Sequence, residues 1–188
     1  MNHFVIAAAA SAMLVGGGVA AVAPAAQPAE VPGIMNPEIG GQAMLASRDV
    51  VDNIAASPEH TRFVAALKDS GMSATLKGKG PFTVFAPTDE AFARANMKVA
   101  SRADAARAVD YLVVKGKLDS QALLRAINEN GGQAHLKTLE GGTLVATMNG
   151  PTNIVLIDEK GNRVPISTYD VYDANGVTHV IDKLVQAD

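Results

Sequence analysis

The stretch Gly80-Pro81-Phe82-Thr83-Val84-Phe85-Ala86-Pro87-Thr88-Asp89-Glu90-Ala91-Phe92 decides how the rest of the chain is read. Residues 82–86 are mostly apolar on both alternating faces, the pattern of a strand covered on two sides. Pro87 stops the strand. Thr88 is then a good helix N-cap, with Asp89 and Glu90 in the first turn where the helix dipole favours them, and Phe92 turning inward. A second stretch, Asn175-Gly176-Val177-Thr178-His179-Val180-Ile181-Asp182-Lys183-Leu184, reads as a turn feeding a closing strand of aliphatic and β-branched residues. His179 alternates with Val177 and Ile181 and is expected to face one side with them. A buried neutral imidazole needs hydrogen-bond partners, so His179 is expected to hold the strand in register. Asp182 points the other way and is expected to cap a nearby turn.

Around these two stretches the chain divides by pattern. Residues 4–23 carry no charge, are rich in Ala and Gly, and end at Pro24. They read as a secretory signal peptide over residues 1–25, cut near Ala23-Pro24-Ala25, with an uncleaved membrane anchor as the alternative. Pro28, Pro32 and Pro37 mark residues 26–45 as a flexible linker, and a single domain is expected over residues 46–186. Its helices are predicted from Arg48, from a restart at Ser57-Pro58 with Ser57 as N-cap, from Asp89, over 103–110, and after Asp119 as cap. Gly71 and Gly131-Gly132 stop two of them. Strands are predicted at 143–148, 153–158, 164–171 and 177–185, joined by turns at Asn149-Gly150, Lys160-Gly161 and Asn175-Gly176. Helices first and mostly hairpin-linked strands after make the class α+β.

Composition narrows the function classes. A 188-residue chain is long enough for one domain with a sizeable core. The net charge is −3, with no basic run, so no nucleic-acid partner is expected. Five Phe, three Tyr and no Trp argue against a base- or sugar-stacking groove. Without cysteine there is no disulfide, thiolate metal site or thiol nucleophile.

In their order and separation the two stretches resemble the two signature boxes of the fasciclin-type domain. Asp49-Val50-Val51-Asp52-Asn53 with Phe63-Val64-Ala65-Ala66-Leu67 and Ser70-Gly71 is similar to that family's opening helices, and Thr138-Leu139-Glu140-Gly141-Gly142-Thr143-Leu144 to its mid-domain turn. The resemblance implies N-terminal helices packed on a β-wedge of two small sheets, with a short strand at Tyr111-Leu112-Val113-Val114. It also implies an extracellular adhesion or partner-binding module. The matching residues Thr83, Phe85, Ala86, Pro87, Thr88, Phe92, Asn175, Gly176, His179 and Asp182 are expected to be structural. A Tyr-His pair is usual in the family at Tyr111-Leu112, in a region tied to integrin recognition in animal relatives. This chain keeps the Tyr and replaces His by Leu, so integrin-type binding is not expected to carry over; Tyr111 is expected in the core with its hydroxyl reaching a rim partner, with Tyr111 and Leu112 as the candidate partner-binding position if there is one.

No catalytic residues are expected. The chain has no Ser elbow, no phosphate loop, and no metal-binding His spacing among His60, His135 and His179. His60 is expected at a helix end over the core, and His135 in a solvated turn. No cofactor is expected. The expected function is an exported, periplasmic or secreted, non-enzymatic module that meets an envelope or extracellular protein or glycan, touching membrane only through a retained leader. The alternative is a periplasmic carrier of a small apolar ligand, with Met72, Met97 and Met148 lining a plastic pocket.

Overall fold

The computed structural model describes residues 35–95 and 102–186; the leader, the first part of the linker and Met97 lie outside them. A short hairpin of β1 (Glu38–Ile39) and β2 (Gln42–Ala43) comes first. Three helices follow, α1 (Val50–Ala56), α2 (Thr61–Ser70) and α3 (Met72–Leu76), and then β3 (Phe82–Pro87) runs into α4 (Asp89–Ala95). Next come α5 (Arg102–Tyr111), β4 (Val113–Lys115) and α6 (Ser120–Glu129). The chain then becomes strand-rich: β5 (Gln133–Lys137), β6 (Thr143–Asn149), β7 (Asn153–Ile157), β8 (Arg163–Asp173) and β9 (Gly176–Ile181). The class is α+β, as the order of predicted elements requires.

The main strands form one hydrogen-bonded order, β4-β3-β9-β8-β7-β6-β5, where two small sheets were expected. The reason lies in β8, which is long enough to serve both halves. Its start pairs with β7 at Arg163–Pro165 and its remainder with β9, with register shifts between Ile166 and Val171 where it bends. The two outer strands nearly meet. Leu139 N–H donates to the Val113 carbonyl at 2.8 Å and Val114 bridges Thr138, so the sheet comes close to a barrel. Among the described strands only β3 and β9 run parallel, in register from Phe82 opposite Gly176 to Pro87 opposite Ile181. The two stretches that decided the sequence reading are therefore neighbours inside the sheet, one strand in from the β4 edge.

Helices and strands share one large core that includes Phe63, Leu67, Phe85, Leu123, Leu144 and Ile181. Local signals place most helix ends. Asp49 caps α1 by accepting from Asp52 N–H at 2.8 Å, Asp119 caps α6 through Ala122 N–H at 2.8 Å, and Thr88 caps α4 through Ala91 N–H at 3.2 Å. Gly71 closes α2 in the left-handed conformation at φ 80°.

Four expectations are corrected. Ser57 ends α1 and does not cap α2; the cap comes from afar, the Asp89 carboxylate accepting from Thr61 Oγ1 and from Arg62 N–H. The linker stops before residue 45, because β1–β2 folds and buries Ile39 and Met44. His135 lies on β5, exposed between buried Ala134 and Leu136, since that strand alternates. Tyr111 ends α5, and the short strand starts only at Val113.

The central parallel pair also explains a glycine. Gly176 does not lie in the left-handed region; it is required because a Cβ there would collide with the Phe82 carbonyl. A Gly176→Ala chain is expected to lose about 3 kcal/mol or more of stability by urea denaturation, or not to fold.

Candidate functional site

One buried side chain from each box, Thr83 and His179, reaches the segment between β4 and α6. Thr83 is buried in β3; its Oγ1 donates to the Gly116 carbonyl at 2.7 Å and accepts from Leu118 N–H at 2.9 Å. His179, opposite Phe85 on β9, reaches the same segment. Nε2 lies 2.8 Å from the Leu118 carbonyl, which can only accept, so Nε2 carries the proton. Nδ1 then accepts from Asp170 N–H at 3.3 Å. Phe85 stacks on the ring at 5.7 Å and Tyr169 meets it edge-on at 6.1 Å. Burial pushes the imidazole pKa down, so the ring stays neutral with both nitrogens engaged.

Asp170 extends this cluster. Among the described residues it is the one non-glycine at positive φ (59°), where β8 bulges, and its carboxylate accepts from Ser120 N–H at 2.7 Å and from the Ser120 hydroxyl. One side-chain cluster thus pins β3, β9, the β8 bulge and the start of α6. Chemically it is a set of satisfied partners with no free nucleophile or base.

Asn175 forms a second node. Its amide donates to the Leu76 and Gly78 carbonyls at 2.7 and 2.9 Å, its Oδ1 accepts from Val50 N–H at 3.0 Å, and its backbone carbonyl accepts from Phe82 N–H at 3.1 Å. The residue read as a turn former therefore ties α1 and α3 to the central strands. Ala86 and Pro87 are buried against Val180 and Ile181, and Phe92 lies in the core. Asp182 is half-buried on the wall of an open groove of about 440 Å³ with Glu59, Asp89, Glu90 and Arg94, and among the described residues it caps no turn.

Tyr111 and Leu112 are only 1% and 2% exposed, which corrects their reading as a partner-binding position. The Tyr111 hydroxyl donates to the Thr143 carbonyl and accepts from Glu159 N–H, both at 3.2 Å, and burial pushes its pKa up to about 12. A partner cannot reach this pair without opening the core. Met72 and Met148 pack against the main core.

Two buried acids were missed, because an Asp beside a turn looks like turn chemistry in sequence. Asp158 gathers Asn162 N–H at 2.8 Å and Gln186 N–H at 2.9 Å, fixing the β7–β8 turn to the C-terminal segment. Asp173 accepts from Asn53 Nδ2 at 2.6 Å and Thr178 Oγ1 at 2.8 Å. Burial is the main force raising its carboxyl pKa to about 6. Among the described residues no group of three or more His, Asp or Glu is arranged to hold a metal ion, and no helix is long and apolar enough to cross a membrane.

The fasciclin-domain family model matches residues 58–187. Stabilin-1 from Homo sapiens is 33% identical over 144 residues, covering 73% of this chain but 5% of stabilin-1, so the chain spans a small fraction of that relative's length. Protein sll1483 from Synechocystis sp. is 29% identical over 139 residues, covering 72% of each chain. A FAS1 domain pair from the insect cell adhesion molecule fasciclin I aligns with a TM-score of 0.64 at 17% identity, over 74% of this chain and 51% of that one.

Two measurements check the site. Replacing His179 by Ala leaves the Leu118 carbonyl and Asp170 N–H unpaired beside a new cavity, so urea denaturation is expected to show a loss of about 3–4 kcal/mol. The carboxyl pKa of Asp173 is higher folded than unfolded, so its stabilising share is full below about pH 4 and is lost as pH rises through about 6. That share amounts to about 3 kcal/mol. His60 and His179, pushed down by burial, act oppositely and weaken the fold as pH falls below about 6.5. The difference in unfolding free energy between Asp173→Asn and the parent chain, measured from pH 4 to 7, therefore isolates the carboxylate and should shift in favour of the variant as pH rises.

Proposed function

This chain belongs to the fasciclin-domain family, and from that premise we propose that it is an exported, non-enzymatic module that binds a partner at the cell envelope or in the extracellular matrix. The observation that carries the reading is how the two signature boxes are used. Thr83, Asn175 and His179 have their polar atoms committed to backbone groups of other elements, which is the work of a scaffold. A catalytic group needs a reactive atom free to meet substrate, and these side chains keep none.

The adhesive character of the partner is supported by the likeness to the insect cell adhesion molecule. Export is supported by the uncharged run at residues 4–23, which lies outside the described residues. With Tyr111 and Leu112 in the core, partner recognition belongs to outward-facing residues.

Fractionation of source cells combined with crosslinking is the deciding experiment. The expected result is a periplasmic or secreted chain, crosslinked to an envelope protein or glycan, and the same adduct from a folded chain with the leader removed. A cytosolic chain with no envelope adduct would remove the basis for the proposal.

A further inference from the structure

The β1–β2 hairpin precedes residues 58–187, the part covered by the family model, yet it is built into the structure as a strap. Both ends are clamped. The Asn36 amide donates to the Tyr172 carbonyl and accepts from Tyr172 N–H, each at 2.8 Å. The Asn53 amide holds both backbone groups of Leu45, at 3.0 and 2.8 Å. Between the clamps Ile39 and Met44 turn inward and join Val171 and Val180 in an apolar cluster separate from the main core. Beneath them is a cavity of about 10 Å³, room for about one water molecule, also lined by Ile54, Ala86 and His60.

Asn53, Ser57 and Thr178 also line this mainly apolar chamber with their polar atoms partnered, and His60 brings the nitrogen that is not. His60 is 1% exposed, and Nε2 has no hydrogen-bond partner. On the other side of the ring Ser57 Oγ accepts from Glu59 N–H at 3.2 Å and lies 2.9 Å from Nδ1. The Ser57 hydroxyl is thereby free to donate to Nδ1, and together with the Ala86 carbonyl acting on the ring as an acceptor this favours the tautomer protonated at Nε2. The Ala86 carbonyl bears on the ring without completing a bond of normal geometry. Burial keeps the imidazole neutral by pushing its pKa down, against a smaller pull from Asp89. What remains is an uncharged N–H buried without an acceptor, which is costly unless something satisfies it.

We propose that this chamber is a binding site for a compact, uncharged, apolar molecule bearing one acceptor oxygen, such as a small ketone, ester or ether, with the N-terminal hairpin as its lid. The ligand oxygen takes the Nε2 proton of His60 as a hydrogen bond, and its apolar body takes the space that Ile39 and Met44 fill when the lid is shut. Lifting the lid breaks only the two amide clamps and a small satellite cluster, leaving the main core intact, the type of segment that opens locally. The inference rests on this chamber and not on the adhesive reading, so either stands if the other fails.

The test is NMR titration of the full chain with cyclohexanone and, in parallel, with methylcyclohexane, a hydrocarbon of similar shape. Cyclohexanone is expected to shift the methyl signals of Ile39, Met44, Ile54, Val171 and Val180 saturably, and methylcyclohexane to bind roughly tenfold more weakly. His60→Phe should erase that preference. Met44→Ala keeps both clamps and adds space, so it should tighten cyclohexanone by roughly tenfold while circular dichroism stays that of the parent chain. Should His60→Phe fail to fold, the Met44→Ala titration and the ketone-to-hydrocarbon ratio of the parent chain decide the matter. Equal binding of ketone and hydrocarbon by the parent chain, shifts confined to residues outside the chamber, or a folded Met44→Ala chain with no tightening would each overturn the proposal.

Discussion

Because β3 and β9 lie side by side and parallel inside the sheet, neither can be the other's hairpin neighbour, and the chain between them must travel far enough to enter β9 from the same end as β3. Everything from α4 to β8 is that return path. Registry along the pair is fixed where Gly176 lies against the Phe82 carbonyl, too close for any side chain. On one face of the pair Thr83, Phe85 and His179 look toward residues 116–118; on the other Val84, Ala86, Thr178 and Val180 look toward α1 and the N-terminal strap. Both faces are covered, which is why these strands read as near-continuous apolar runs.

The buried and half-buried polar groups along this pair work as fasteners. Thr83 and His179 hold the connection into α6, Asp170 holds the α6 start, and Asn175 holds α1 and α3. Asp173 and Asn53 continue the series to the strap at Leu45. Each of these groups would be expensive to bury alone, and each is matched by a partner distant in sequence.

Much of this was legible in the chain. The strand-into-helix pattern at 82–92, the Asp119 cap, the Gly71 stop and the four late strands follow from local preferences and appear close to where the pattern puts them. The structural role of His179 followed from strand alternation and the need to satisfy a buried imidazole, and Leu118 and Asp170 supply that satisfaction. Tyr111-Leu112 is a binding candidate only through the family's recognition region; its hydroxyl is spent on Thr143 and Glu159 inside the protein, which is the core reading of Tyr111. The strap was read as linker because short Pro- and Gly-rich pieces carry no periodicity from which Ile39 and Met44 could be seen to turn inward.

The sequence by itself determined the class, the two boxes, most caps and the absence of thiol chemistry, because those depend on residues within a turn or two of each other or on composition alone. Tertiary structure decided which groups meet across long separations. Asp89 caps α2, Asn53 clamps Leu45 and shares Asp173, and His60 is left with an unanswered N–H under the strap. The physical reason is that hydrogen bonding and burial act on distance in space, and a chain folded around a parallel strand pair brings together residues that no local pattern links.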